Sequence, residues 1–218
     1  MDRLVIAKNC VKTLLDERFI KVYDLQYAEG KHYFDASRRK PEDLVCVKTD
    51  EEFREMLPDA VSCCVVLCLP DEPARLLLSY EYRYPCGRFL LSPPAGLLDA
   101  QDRALSEPLI SCARREIFEE TGLQAEPSDR FTVVNPCLFS SPGMTDECNA
   151  LVCCVLHPED LGALTQEGAE GTELFDGFLL ADEEAARRLL LSGCDANGTY
   201  YSVYTWMVLS WFISGLWK

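Results

Sequence analysis

Residues 94–123 read PAGLLDAQDRALSEPLISCARREIFEETGL, and the centre of that stretch is Arg115-Glu116-Ile117-Phe118-Glu119-Glu120-Thr121-Gly122-Leu123. On a helix Glu116 and Glu120 are four residues apart and Glu116 and Glu119 three apart, so all three share one face. Three carboxylates packed together repel and weaken the helix unless a cation sits between them. Hard oxygen donors of this kind suit Mg²⁺ or Mn²⁺. Gly96 at the entry and Gly122 at the exit bracket the helix, as a tight turn and a C-terminal stop require.

The chain around this stretch has 218 residues, long enough to bury a substantial core. Its net charge of −15 argues against nucleic acid or an anionic membrane as partner, since both need a basic surface. It does not argue against a phosphorylated small molecule, because bound cations and a few arginines can invert the local field. No apolar run follows the first residues, so no signal peptide is expected. The apolar stretch at 206–217 is too short to span a bilayer. Twelve cysteines lie mostly inside apolar runs, and His32 and His157 are the only histidines. No Cys-x-x-Cys occurs. The expected state is reduced core thiols in a cytoplasm, with neither disulfides nor zinc.

Taken in order, residues 19–27, 32–39 and 43–48 have β-type composition and predict a small antiparallel sheet, with a turn at Glu29-Gly30. Such a sheet is marginal alone and needs cover from a second domain or a second copy. Thr49 caps a short helix. Residues 60–69 (AVSCCVVLCL) read as a strand buried on both faces. Strands follow at 75–84 and 89–91, then the acidic helix, then strands at 131–137 and 148–156. A polar stretch at 157–173 precedes a strand at 174–180. Asp182 caps a helix ending near Gly193, and 201–217 is a closing apolar helix. The division expected is a β-rich, dimerising segment at 1–58 and a larger domain at 59–218 that carries the acidic helix. The fold class expected is α/β (α+β), a mixed sheet sandwiched between helices.

The 94–123 stretch resembles the Nudix box, which reads Gly, five residues, Glu, seven residues, then Arg-Glu-aliphatic-any-Glu-Glu-any-Gly-aliphatic. Glu107, seven residues, then 115–123 match it, but ten residues instead of five separate Gly96 from Glu107. The resemblance implies metal ligation by the Ala95 carbonyl, Glu116 and Glu120, with Glu119 sharing a further metal. It implies a supporting role for Arg115 and Glu107, whose guanidinium and carboxylate would hold the ligands in position. Glu81-Tyr82-Arg83, the loop Ser141-Pro142-Gly143-Met144-Thr145-Asp146-Glu147 and Arg38-Arg39 resemble features of the ADP-ribose pyrophosphatase-like subgroup. On that likeness Arg38, Arg39, Arg83 and Glu147 are candidate substrate contacts, and Tyr27, Tyr33 or Phe34 could stack on adenine. A general base is expected among Glu167, Glu170 and Glu173, with Glu170 and Glu173 nearest the returning strand; Glu119 itself could orient the water. The implied activity is Mg²⁺- or Mn²⁺-dependent hydrolysis of ADP-ribose to AMP and ribose 5-phosphate by a homodimer. Ser92-Pro93 stands where the subgroup often has Glu-Leu. This departure leaves two other readings open: another nucleotide sugar or dinucleotide as substrate, or a non-catalytic module that binds a nucleotide sugar.

Overall fold

The computed structural model describes residues 4–168 and 171–218. The chain divides into two compact units, Met1–Asp59 with Cys137–Asn149, and Ala60–Pro136 with Ala150–Lys218.

In the first unit β1 (Val11–Asp16), β2 (Lys21–Ala28) and β3 (Lys31–Ser37) form an antiparallel sheet in that order. Gly30 takes the positive φ of 66° that the turn between β2 and β3 requires. The third strand is not the expected 43–48. That segment forms two short 3₁₀ turns, Pro41–Asp43 and Val45–Val47. The difference has a packing cause. Leu44, fully buried, plugs a small core with Tyr23 and Leu25, and Val11, Cys46 and Val47 pack around it. The free edge of β2 is taken by β1, Val11–Asp16. Thr49 caps α1 (Asp50–Glu55) through a reciprocal box with Glu52.

The second unit is built on β4 (Ala60–Leu67), every residue of which is buried. β5 (Arg75–Arg83), β6 (Arg88–Ser92) and β7 (Ala95–Leu97) follow, then α2 (Ala100–Arg103) and α3 (Pro108–Thr121). β8 (Arg130–Phe139) and β9 (Cys148–Leu156) have their inner ends in the first unit. β10 (Phe175–Ala181), α4 (Glu183–Ser192) and α5 (Val203–Ser214) close the chain. The strand order is β10-β5-β4-β9-β8, with β6 on β5 and β7 on β4.

Two adjacent cysteines show how the helices are layered. The Cys63 thiol points to the Ala113 carbonyl of α3 and the Cys64 thiol to the Val208 carbonyl of α5. Successive strand residues face opposite sides of a sheet, so α3 and α5 cover opposite faces. This is the sandwich of a mixed sheet between helices that the sequence predicts. All twelve cysteines are free thiols. No helix among the described residues is long and apolar enough to cross a membrane.

Candidate active site

α3 forms where an apolar stripe meets two strong stops. Pro108 begins it, with the fixed φ that suits a first helical position. Gly122 ends it in the left-handed region at φ 72°, its N–H bonded to the Phe118 carbonyl. Leu109, Cys112, Ala113 and Ile117 seat the helix on β4 and β7. Glu116 and Glu120 lie on that same inward side and are nearly excluded from solvent. Burial without full compensation pushes the Glu116 carboxyl up to about 7. The Arg115 charge works against that rise, and Glu119 and Glu173 add to it. Burial and then the charge of Glu81 raise Glu120 well above the carboxylate range, opposed by a hydrogen bond from the Ala95 N–H at 3.3 Å.

β7 is shaped around these carboxylates. A β-carbon at Gly96 would overlap the Glu116 carboxylate, so no other residue fits there while Glu116 keeps its position. β5 delivers Glu81 from the sheet side. Burial raises its carboxyl, the Arg83 guanidinium at 2.6 Å works against that rise, and Glu173 adds to it. Glu81, Glu116, Glu120 and Glu173 therefore form one mutually repelling group.

Arg115 is the hub. Its guanidinium reaches Glu116 at 2.7 Å, Asp102 at 2.8 Å, Glu119 at 2.9 Å and the Leu97 carbonyl at 3.0 Å. Burial pulls its pKa down, but the hydrogen bond to Asp102 and the Glu116 charge outweigh burial and raise it. The acid beside Arg115 is thus Asp102. Glu107, where the box spacing put that acid, is an exposed residue at the N-cap of α3 with no side-chain capping bond. Asp102 is only 4% exposed. A reciprocal capping box with Asp99 fixes it at the start of α2. The signal for it is in the sequence: five residues separate Gly96 from Asp102, the spacing the box prescribes. The five extra residues come after the acid, which leaves twelve residues instead of seven before Arg115.

Of the other candidates, Ala95 adjoins Glu120 through its N–H, and Glu119 is half-buried against Arg115. Arg83 is held by Glu81. Glu173 and Glu167 are both exposed, but Glu173 is the one whose charge acts on Glu116 and Glu120; Glu170 lies outside the described residues. Arg38, Arg39 and Glu147 belong to the first unit. Arg38 is exposed there. Arg39 is partly buried between Asp59 at 2.8 Å and Asp146 at 3.2 Å, and so already has two carboxylate partners. Glu147 is half-buried, its N–H bonded to Thr145. Tyr33 donates to the Gly143 carbonyl at 2.8 Å, Phe34 is exposed and Tyr27 is half-buried.

Among the described residues no three His, Cys, Asp or Glu side chains form a ready cage for a cation, and Arg115 occupies Glu116 and Glu119. The donor chemistry still fits a hard divalent ion. Two nearly dry carboxylates, each destabilised as an anion, need either protons or a cation to offset their charge.

The candidate site is thus a pair of buried carboxylates on α3, packed against Gly96 of β7 on a mixed sheet. A sequence model of the NUDIX domain matches residues 57–191, and the chain belongs to that family, whose members generally use divalent metal ions. It is similar to a putative nudix hydrolase 2 of Caenorhabditis elegans, 38% identical over 77 residues (35% of this chain, 31% of the relative). It is also similar to proteins named ADP-ribose pyrophosphatase from Mycobacterium tuberculosis and Saccharomyces cerevisiae. The first is 33% identical over 126 residues (58% and 56% of the two chains), the second 30% over 119 residues (54% and 46%). The matches thus span 31% to 56% of these relatives' lengths.

Proposed function

We propose that this chain hydrolyses the pyrophosphate of a nucleoside diphosphate linked to a sugar, with ADP-ribose giving AMP and ribose 5-phosphate as the first choice. The observation that carries the reading is the pair of buried carboxylates Glu116 and Glu120 on α3, with half-buried Glu81 and exposed Glu173 close enough to raise them electrostatically. The relatives named ADP-ribose pyrophosphatase favour ADP-ribose within that chemistry.

Glu116, Glu120 and the Ala95 carbonyl are the residues that would hold Mg²⁺ or Mn²⁺, with Glu119 as a further ligand. Such an ion, when bound, neutralises pyrophosphate charge and acidifies a water. Arg115, anchored by Asp102, orients Glu116 and Glu119 and offsets their mutual repulsion. Arg83, half-exposed beside Glu81, binds a phosphate oxygen with its planar fork. Glu173 takes the proton of the attacking water, and Glu119 orients that water. Arg38, Arg39 and Glu147 are held as substrate contacts of the first unit, although Arg39 would have to share its guanidinium with Asp59 and Asp146. A homodimer formed through the N-terminal sheet fits the exposed apolar side chains there, Leu14, Leu15, Phe19, Ile20, Tyr33 and Phe34.

The test is mass-spectrometric product analysis of ADP-ribose with Mg²⁺ in ¹⁸O-labelled water, beside a panel of nucleotide sugars and dinucleotides. AMP from wild type, and its loss by at least about 10²-fold in Glu120→Gln, is the expected result. Cleavage of another panel member alone would move the substrate, as the Ser92-Pro93 departure allows. Binding without cleavage of any member would overturn the enzyme reading.

A further inference from the structure

The polar segment before β10 is tied down at four described points. Thr165 N–H donates to the Thr121 carbonyl at the end of α3, at 3.0 Å. Gly168 lies so close to the helix that a β-carbon there would overlap the Glu119 carbonyl oxygen. Gln166 makes a two-pronged clamp: its Nε2 donates to the Gly177 carbonyl at 3.2 Å and its Oε1 accepts from the Gly177 N–H at 2.8 Å. Finally, Tyr82 N–H donates to the Leu174 carbonyl at 2.8 Å, next to Glu81.

The clamp has a local cause. The pairing of β10 with β5 loses register between Phe175 and Phe178, and Gly177 within that irregularity takes a positive φ of 84°. A bulge turns one residue's backbone donor and acceptor away from the ladder. A side-chain amide carries the same donor and acceptor as a peptide, so Gln166 satisfies both. Residues 166 and 177 thereby close the neck of the segment that carries Glu173.

We propose that Gln166 is a positioning residue: by clamping Gly177 it holds Glu173 toward Glu81, Glu116 and Glu120, and Gly168 permits the close approach to α3. This rests on the hydrolase reading above. Gln166 acts through Glu173.

The test uses the full chain with Gln166→Met, which keeps the side chain's reach and removes both polar ends. Loss of these bonds should speed hydrogen exchange at the Gly177 amide about ten-fold, lower kcat about ten-fold and leave KM within about two-fold. In a Glu173→Gln background the same change should alter kcat little, because the route of its action is gone. Gly168→Ala is a second variant that disturbs the same approach from the helix side and should lower kcat similarly. Unchanged Gly177 exchange would show that the clamp does not exist. Faster exchange with unchanged kcat, or full effect in the Glu173→Gln background, would overturn the positioning role alone. A wild type that cleaves nothing overturns the hydrolase reading and this proposal with it.

Discussion

Alanine at Asp102, set beside glutamine at Glu107, weighs the two candidate partners of Arg115 against each other. Asp102 is 4% exposed, and its Oδ2 accepts from Arg115 at 2.8 Å and from the Asp99 N–H at 3.2 Å. Removing one partner of a fully buried pair costs about 3–5 kcal/mol. Arg115 is 30% exposed and keeps Glu116 and Glu119, so solvent and its remaining partners cut that to about 1–2 kcal/mol. Half of the capping box at α2 goes as well, worth roughly another 1 kcal/mol. The sum, about 2–3 kcal/mol, corresponds to a fall in Tm of roughly 5–10 °C for a chain of this length. Asp102→Ala also leaves Glu116 and Glu119 as the close carboxylate partners of the guanidinium, where it competes with any cation. kcat at fixed Mg²⁺ should fall about ten-fold and recover in part at higher Mg²⁺. Glu107→Gln touches an exposed side chain and should change stability by no more than about 0.5 kcal/mol. Thermal melts and metal-dependent turnover of both variants decide the matter. A silent Asp102→Ala, or a Glu107→Gln of equal or larger effect, would refute the assignment of Asp102.

Gly96→Ala should abolish turnover while the protein stays folded, because a β-carbon there displaces the Glu116 carboxylate; circular dichroism beside the product assay separates the two effects. Arg39→Ala should destabilise the first unit by about 3–5 kcal/mol, since Asp59 and Asp146 are left buried without their cation. Urea unfolding followed through a probe in that unit reads this, and a shift below about 1 kcal/mol would count against the buried network. Asp35 supplies a pH signature. Burial and then the charge of Asp146 push its carboxyl up to about 6, against the usual value near 4. The folded state therefore holds this proton more tightly than the unfolded chain does. Its stabilising contribution is present below about pH 4 and is lost as pH rises through 6. Asp35→Asn should flatten the stability profile across that window relative to wild type, and an unchanged slope would contradict the assignment.

Much of the molecule follows from local chemistry. The unbroken apolar run at 60–67 can only be a strand buried on both faces, and it is the centre of the large sheet. Thr49, Asp182 and Gly193 mark helix ends because caps and left-handed stops are short-range events. The spacing of Glu116, Glu119 and Glu120 puts them on one helix face wherever that helix is placed. Even Asp102 is legible, five residues after Gly96, once the insertion is allowed to follow the acid.

What the sequence leaves open are choices between segments of similar composition that compete for one place. Residues 43–48 and 11–16 both suit a strand, and only the need to plug Tyr23 and Leu25 with Leu44 assigns the edge of β2 to Val11–Asp16. Glu167 and Glu173 differ little as sequence; the Gln166 clamp and the pairing of Leu174 with Tyr82 bring Glu173 to the carboxylates. Helix period and capping are set within a few residues and are written in the chain. Which acid meets Arg115 depends on long-range packing that excludes water from Asp102 and not from Glu107, and which glutamate meets Glu116 and Glu120 depends on the bonds that fix Leu174 and Gly177; the tertiary structure decides both.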